Sequence, residues 1–188
     1  MPGTNTIKRS YPWQTTINGK TFTFKLLERK DRDASLAFAR SIPYDDLIFL
    51  TFDITESKDM DEFIKSVENH KALSVIIECD GKHVGFGSLN YNQVTWTSHL
   101  GEIRLLVNPG YRGYGLGKLL VNEVFVLAQE LGLRKLVAQM ASEQRGAIKA
   151  FEHLGFKAEA LLADNVIDKQ GRTHDLVIMS HDISGFNE

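Results

Sequence analysis

Val107-Asn108-Pro109-Gly110-Tyr111-Arg112-Gly113-Tyr114-Gly115-Leu116-Gly117-Lys118-Leu119-Leu120 is the stretch on which the reading of this chain turns. The apolar run Leu105-Leu106-Val107 leads into it as a strand, and the turn that follows carries four glycines. The chain then enters an apolar-periodic helix at Leu116, with Leu119, Leu120, Val124, Leu127 and Leu131 on one face and Gly132 closing it. A strand–turn–helix of this kind gathers several backbone N–H groups at the positive end of a helix dipole. Glycine lets another molecule's oxygens approach that backbone closely, because it has no Cβ. The stretch suits an anion, phosphate above all.

Two familiar phosphate patterns are excluded by spacing. A Walker loop needs Ser or Thr after Gly-Lys, whereas Gly117-Lys118 is followed by Leu119. The dinucleotide fingerprint G-x-G-x-x-G is not met by Gly113-x-Gly115-x-Gly117, and no βαβαβ repeat surrounds it. A glycine-rich turn of purely structural role stays open on spacing alone. The third pattern is Arg-x-x-Gly-x-Gly, filled by Arg112, Gly115 and Gly117. Together with the preceding strand Ile103 to Val107 it resembles the acetyl-CoA-binding motif of the GNAT superfamily of N-acetyltransferases. A second segment, Gln144-Arg145-Gly146-Ala147-Ile148-Lys149-Ala150-Phe151-Glu152-His153-Leu154-Gly155-Phe156, is similar to that family's short helix ending in Gly-Phe. Its residues support a helix independently. Ser142 is a candidate N-cap, Ala147, Ile148, Phe151 and Leu154 form an apolar stripe, and Gly155 is a left-handed stop. The resemblance covers about Leu73 to Ile183, and the N-terminal third matches in pattern alone.

The 188 residues suit one α/β domain, with 43% hydrophobic and 24% charged residues. A formal charge of −2 exerts no overall pull toward nucleic acid or an anionic membrane, and neither is expected as a partner. The single cysteine, Cys79, lies in an apolar run and reads as a buried thiol. One cysteine excludes an internal disulfide and suits a reducing cytoplasm, the expected location. No apolar run approaches the roughly 20 residues that cross a bilayer. The start, Met1 to Ser10, has no apolar core of signal-peptide type.

Residues 1–11 read as a polar, flexible tail and 12–188 as one domain. Asn18-Gly19 between Trp13–Ile17 and Lys20–Leu26 signals a hairpin. Asp31 or Asp33 is placed to cap a helix to about Ser41, and Pro43 ends it. Asp59-x-x-Glu62 reads as a capping box before Phe63, Ile64 and Val67. Strands are expected at Ala72–Glu78, His83–Tyr91, Leu100–Val107, Lys135–Met140, Lys157–Val166 and His174–Ile183. The order is that of the GNAT fold with an added N-terminal strand. The resemblance therefore implies an α/β (α+β) architecture. Its mixed sheet has about seven strands, splayed at the acetyl-CoA cleft and flanked by about four helices, plus an extra N-terminal hairpin strand.

The family's chemistry implies an acetyl-CoA-dependent N-acetyltransferase, with acetyl-CoA as co-substrate, no metal and no covalent nucleophile. Leu105, Leu106 and Val107 would border the pantetheine arm. Arg112, Gly113, Tyr114, Gly115, Leu116, Gly117 and Lys118 would border the pyrophosphate, with Gln144 and Phe151 on the other wall. An alkyl ammonium of pKa about 10 must lose its proton before it attacks. Glu102, in a strand where many relatives carry a glutamate, is the candidate base, and His99 is the second. Alternation puts Glu102 and Arg104 on one face and Ile103, Leu105 and Val107 on the other. An exposed Glu/Arg pair is therefore the rival reading for Glu102, unless a bulge re-aims it. Phe151 stands where many relatives place a tyrosine that protonates the leaving sulfur, and Gln144 where an asparagine is frequent. Tyr91, Tyr111 and Tyr114 are the other candidate acids, and a coenzyme-binding module without turnover is the alternative function. The acceptor is a small-molecule amine or a peptide or protein amine, and a homodimer is left open. Asp45, Asp46 and Asp53 could attract a cationic amine or serve as loop and cap carboxylates, and Leu47 to Leu50 could form core or lid.

Overall fold

The computed structural model describes residues 7–47, 53–92, 96–168 and 170–183. Ile48, Phe49 and Leu50 of the stretch read as core or lid, and the side chain of Asp45, lie outside the described residues. Asn18 and Gly19 both adopt positive φ, 49° and 77°, and join β1 (Trp13–Ile17) to β2 (Lys20–Leu26) as the hairpin signal requires. Trp13 lies opposite Phe24, their rings stacked with centroids 4.1 Å apart. Then follow α1 (Arg32–Arg40), the single turn α2 (Tyr44–Leu47), α3 (Ser57–Glu68), β3 (Ala72–Cys79), β4 (Lys82–Tyr91) and β5 (Leu100–Val107). The chain continues through α4 (Leu116–Glu130), β6 (Lys135–Ala141), α5 (Arg145–His153), β7 (Lys157–Ile167) and β8 (Thr173–Asp182).

The eight strands form one sheet in the order β1-β2-β3-β4-β5-β6-β8-β7, in which β5 and β6 are the parallel pair. The sheet is therefore mixed and mostly antiparallel, as expected. Helix α4 packs on β3, β4 and β5, burying Leu120, Val124 and Leu127. On the opposite face α1 and α3 bury Leu36, Phe38, Phe63 and Ile64 over Ile76, Phe86 and Leu106. Each such side chain contributes about 1.5–3 kcal/mol when fully buried. No helix among the described residues is long and apolar enough to cross a membrane.

Three local expectations are corrected. Helix α3 starts at Ser57 with Glu56 at its cap, because the Asp59 carboxylate is drawn to the amide of Asp53 instead of closing a box with Glu62. Helix α5 starts at Arg145, so Gln144 and not Ser142 stands at its N-cap position. The chain is also tied down earlier than Tyr11. Glu130 accepts the amides of Lys8 and Arg9, and buried Glu123 accepts from Arg9, Tyr11 and Trp13. Burial first, then the Glu123 hydrogen bond, pushes the Tyr11 hydroxyl far above its ordinary range. The sequence signal for this anchor was Glu123 itself, a carboxylate set between Leu120 and Leu127 on an apolar helix face.

Candidate active site

Strands β5 and β6 pair at Leu100↔Lys135, Gly101↔Leu136 and Glu102↔Val137, and no further. Gly101 explains the tight closed end, since a Cβ there would come within 2.5 Å of Leu89, 2.8 Å of Leu133 and 3.1 Å of Leu136. Beyond Glu102, β5 stays paired with β4 through Val107, and β6 with β8 through Ala141. The two strands thus diverge with their facing backbone edges open. Alternate residues between 103 and 107 turn their N–H and C=O groups toward that gap. The gap is the floor of a cleft of about 820 Å³.

At the mouth of the cleft stands the N-terminus of α4. Asn108 accepts the amide of Gly110 and sets a tight turn, Pro109–Tyr111. Gly113 and Gly115 take φ of 85° and 75°, left-handed values that a residue with Cβ reaches only at a cost of about 1–2 kcal/mol. Gly115 occupies the N-cap position, where it offers no side chain to the first-turn amides. Gly117 lines the cleft, and a Cβ built on it meets nothing within 4 Å. Gly146, at the start of α5 on the opposite wall, is equally open.

Leu105, Leu106, Val107, Arg112, Gly117, Lys118, Gln144 and Phe151 all line the cleft. Gly113, Tyr114, Gly115 and Leu116 shape its rim without lining it. Tyr114 turns back onto Phe22, 5.5 Å between centroids, with the Lys20 ammonium 5.7 Å from its ring, and Leu116 is buried in the core. Arg112 reaches across to Asp46 at 2.6 Å, so α2 and the glycine loop touch over the cleft. The Gln144 carboxamide oxygen accepts the amide of Ala141, fixing the turn into α5. Sequence reasoning missed Met140, Gly146, Ala147 and Ala150. The small residues at 146, 147 and 150 form one α5 face, a spacing that was visible in the sequence. Gly155, with φ of 89°, ends α5 as expected and turns Phe156 back onto Phe151, ring centroids 5.0 Å apart.

On the far face of β5 lies a second cavity, of about 280 Å³, beneath α3. It shares Arg104 and Leu106 with the cleft, so one strand separates the two spaces. Glu102 lines this second cavity, ion-paired with Arg104. Pairing of β5 with β4 runs without a register shift from Val107 to Gly101, so no bulge re-aims Glu102. Simple alternation carries it there. Its side chain is 31% exposed, placing the Glu/Arg pair in the cavity wall and not on an open sheet face. His99 lines neither cavity. It lies exposed before β5, its carbonyl accepting the amides of Arg134 and Lys135. Tyr91, Tyr111 and Tyr114 also line neither cavity, and burial raises the Tyr91 hydroxyl above its ordinary value. Among the described residues, Asp31, Glu78 and His83 could converge on a cation, but Lys25 already places its ammonium 2.8 Å from Asp31 and 2.7 Å from Glu78.

Beside α5, His174 bridges Asp168, 3.1 Å away in the β7–β8 hairpin, and Glu143, 3.2 Å away after β6. Hydrogen bonds to Asp168 and then Glu143 raise the His174 imidazole above its ordinary pKa. Burial alone would raise the Asp168 carboxyl. Hydrogen bonds from the Arg172 amide, His174, the Arg172 side chain and the Gln170 amide nevertheless hold it well below the carboxylate range.

An open strand edge, a helix mouth capped by glycine and two Cβ-free positions on facing walls together fit an extended thioester ending in a diphosphate. Residues 41–156 match the Acetyltransferase (GNAT) family. The putative phosphinothricin acetyltransferase YwnH of Bacillus subtilis is 24% identical over 169 residues, which cover 86% of this chain and 99% of that protein. The streptothricin acetyltransferase of Streptomyces lavendulae is 24% identical over 162 residues, 76% of this chain and 85% of that one. Among solved structures, yncA, a putative acetyltransferase from Salmonella typhimurium with its cofactor acetyl-CoA, matches with a TM-score of 0.73. The match covers 89% of this chain and 96% of that one at 18% identity, and such a likeness speaks for the fold. With well over half its length matched to the family and its sheet parted beside a glycine-capped helix, the chain belongs to the GNAT family of N-acetyltransferases, whose members use acetyl-CoA.

Proposed function

We infer that the protein moves an acetyl group from acetyl-CoA to a primary amine by direct attack, both substrates being held at once. The observation that carries this reading is the pair of cavities on opposite faces of β5, joined at Arg104 and Leu106. A donor in the larger and an amine in the smaller would meet across one strand, which is the positioning that such transfer requires. Acetyl-CoA supplies the activated acyl group. The open edge of β5 at Leu105 and Val107 would pair with the amides of its pantetheine arm. The amides at the α4 mouth, with Arg112 and Lys118, would hold its diphosphate.

Glu102 takes the proton of the incoming ammonium, directly or through one water, while Arg104 holds its carboxylate in place. The amine nitrogen then bonds to the acetyl carbon as the carbon–sulfur bond breaks, and water returns a proton to the departing sulfur. Phe151 cannot supply that proton, and for this reason a coenzyme-binding module with little turnover stands as the second reading. A panel of small amines, amino acids and peptides, assayed for thiol release with acetyl-CoA, decides between them. The first reading expects release with at least one class of acceptor. Tight CoA binding with no release across the panel would replace it with the second.

A further inference from the structure

We propose that the acceptor is a compact amine carrying an anionic group on an apolar body, of the size and charge of a free amino acid, with Lys71 receiving the anion. The inference rests on the acetyl-transfer reading above. It starts from the charges in the smaller cavity. Among the described residues that line it, the ionised groups are Glu102, Arg104 and Lys71, two cations against one carboxylate. Glu102 is already matched by Arg104, so the surplus charge is positive.

Among the described residues, the carboxylates that could have drawn a polycation are engaged elsewhere. Asp46 pairs with Arg112 over the cleft, and Asp53 accepts the amide and hydroxyl of Thr55. An amine bearing a second positive charge would therefore enter a space of its own sign. One bearing a carboxylate would complete the site, its ammonium toward Glu102 and its anion toward Lys71.

The remaining walls set size and polarity. Ile54, Phe63, Phe86 and Leu106 supply an apolar surface, with Phe63 and Phe86 meeting edge to face at 5.5 Å. Ser88 and Asn90, on β4, are the polar groups between that surface and Glu102. About 280 Å³ is at the small end of ligand sites, which span roughly 300–1,000 Å³, and it suits a single amino acid better than a large ring system. Lys71 stands exposed between α3 and β3, at the rim where such a molecule's outer end would lie.

Matched acceptor sets test this. Thiol release with acetyl-CoA is measured for L-leucine, L-leucinamide and 3-methylbutylamine, which share one body and differ in the anion, and for the corresponding valine and phenylalanine sets. The proposal expects kcat/KM for a free amino acid to exceed that of its amide and its decarboxylated amine by about tenfold or more. Lys71→Met should raise KM for the amino acid about tenfold with a smaller effect on kcat, and Lys71→Glu should reverse the ranking in favour of the amine. Amines turned over as well as amino acids by the wild type would overturn the anion clamp and leave acetyl transfer standing. Equal losses on all three acceptors in Lys71→Met would also overturn it. No thiol release from any of these sets, with release from another acceptor of the amine and peptide panel, would overturn the proposal alone, and silence across the whole panel would overturn acetyl transfer as well.

Discussion

Replacing Gly117 by leucine should move stability and coenzyme affinity in opposite directions. A Cβ at this position meets no heavy atom within 4 Å, and its φ is helical, so the unliganded protein has neither clash nor backbone strain to absorb. Glycine inside a helix costs about 0.8–1 kcal/mol relative to alanine, and leucine ranks close to alanine. The variant alone should therefore be as stable as the parent or up to about 1 kcal/mol more stable, a rise of up to about 2–4 °C in Tm for a chain of this size. The same side chain would stand in the cleft at the α4 mouth. If it displaces a diphosphate from one or two amides, each charge-assisted hydrogen bond lost costs about 1.5–3 kcal/mol. CoA affinity should then fall by between about tenfold, for one weak bond lost, and about 10⁴-fold, for two strong ones. Thermal melting without ligand and calorimetric titration with CoA read the two effects separately. Undiminished CoA binding in a well-folded Gly117→Leu protein would refute the assignment of the diphosphate to this mouth.

Three further perturbations test other parts of the account. Glu102→Gln should lower kcat by about 10²–10⁴, whereas an undiminished kcat would take Glu102 out of the role of base. Gly101→Ala forces a methyl among Leu89, Leu133 and Leu136 where β5 and β6 close, and should destabilise by about 1–3 kcal/mol, read as a lower urea midpoint. The raised pKa of His174 means that its link to Asp168 and Glu143 is fully present below the ordinary value of about 6.5 and is lost as pH rises through the folded value. Amide protection in the β7–β8 hairpin, taken relative to intrinsic exchange at each pH, should fall across that window in the parent and show no such step in His174→Gln. The depressed Asp168 carboxyl acts at the opposite end, its contribution failing as pH falls below the ordinary 3.9 through the folded value.

The sequence was most legible where one residue type serves one geometry. Asn18-Gly19, Gly132 and Gly155 all stand at the positive φ that their positions implied. Period-2 alternation in β5 correctly set Glu102 and Arg104 against Ile103, Leu105 and Val107. The same pattern could not say that the Glu102 face borders a cavity, because that space is made by α3 and β4, whose packing is remote in sequence. Carboxylates were hardest to read. Asp59, Asp31 and Asp46 each had a plausible local use as cap or amine attractor. Asp59 instead binds the Asp53 amide and Asp46 reaches Arg112, 66 residues away, while Asp31 stands at the α1 N-cap as expected but turns its carboxylate to Lys25 and the Glu28 amide. Lys71 carried no motif and gains meaning only from the walls around it.

The central claim is that the parted strands and the α4 mouth together hold the coenzyme. A crystal structure with CoA tests it most directly. The account predicts diphosphate oxygens within hydrogen-bonding distance of amides between Gly113 and Lys118, with pantetheine amides paired to the open edge of β5. Coenzyme bound elsewhere, or β5 and β6 paired beyond Glu102 and Val137 with the cleft closed, would contradict it.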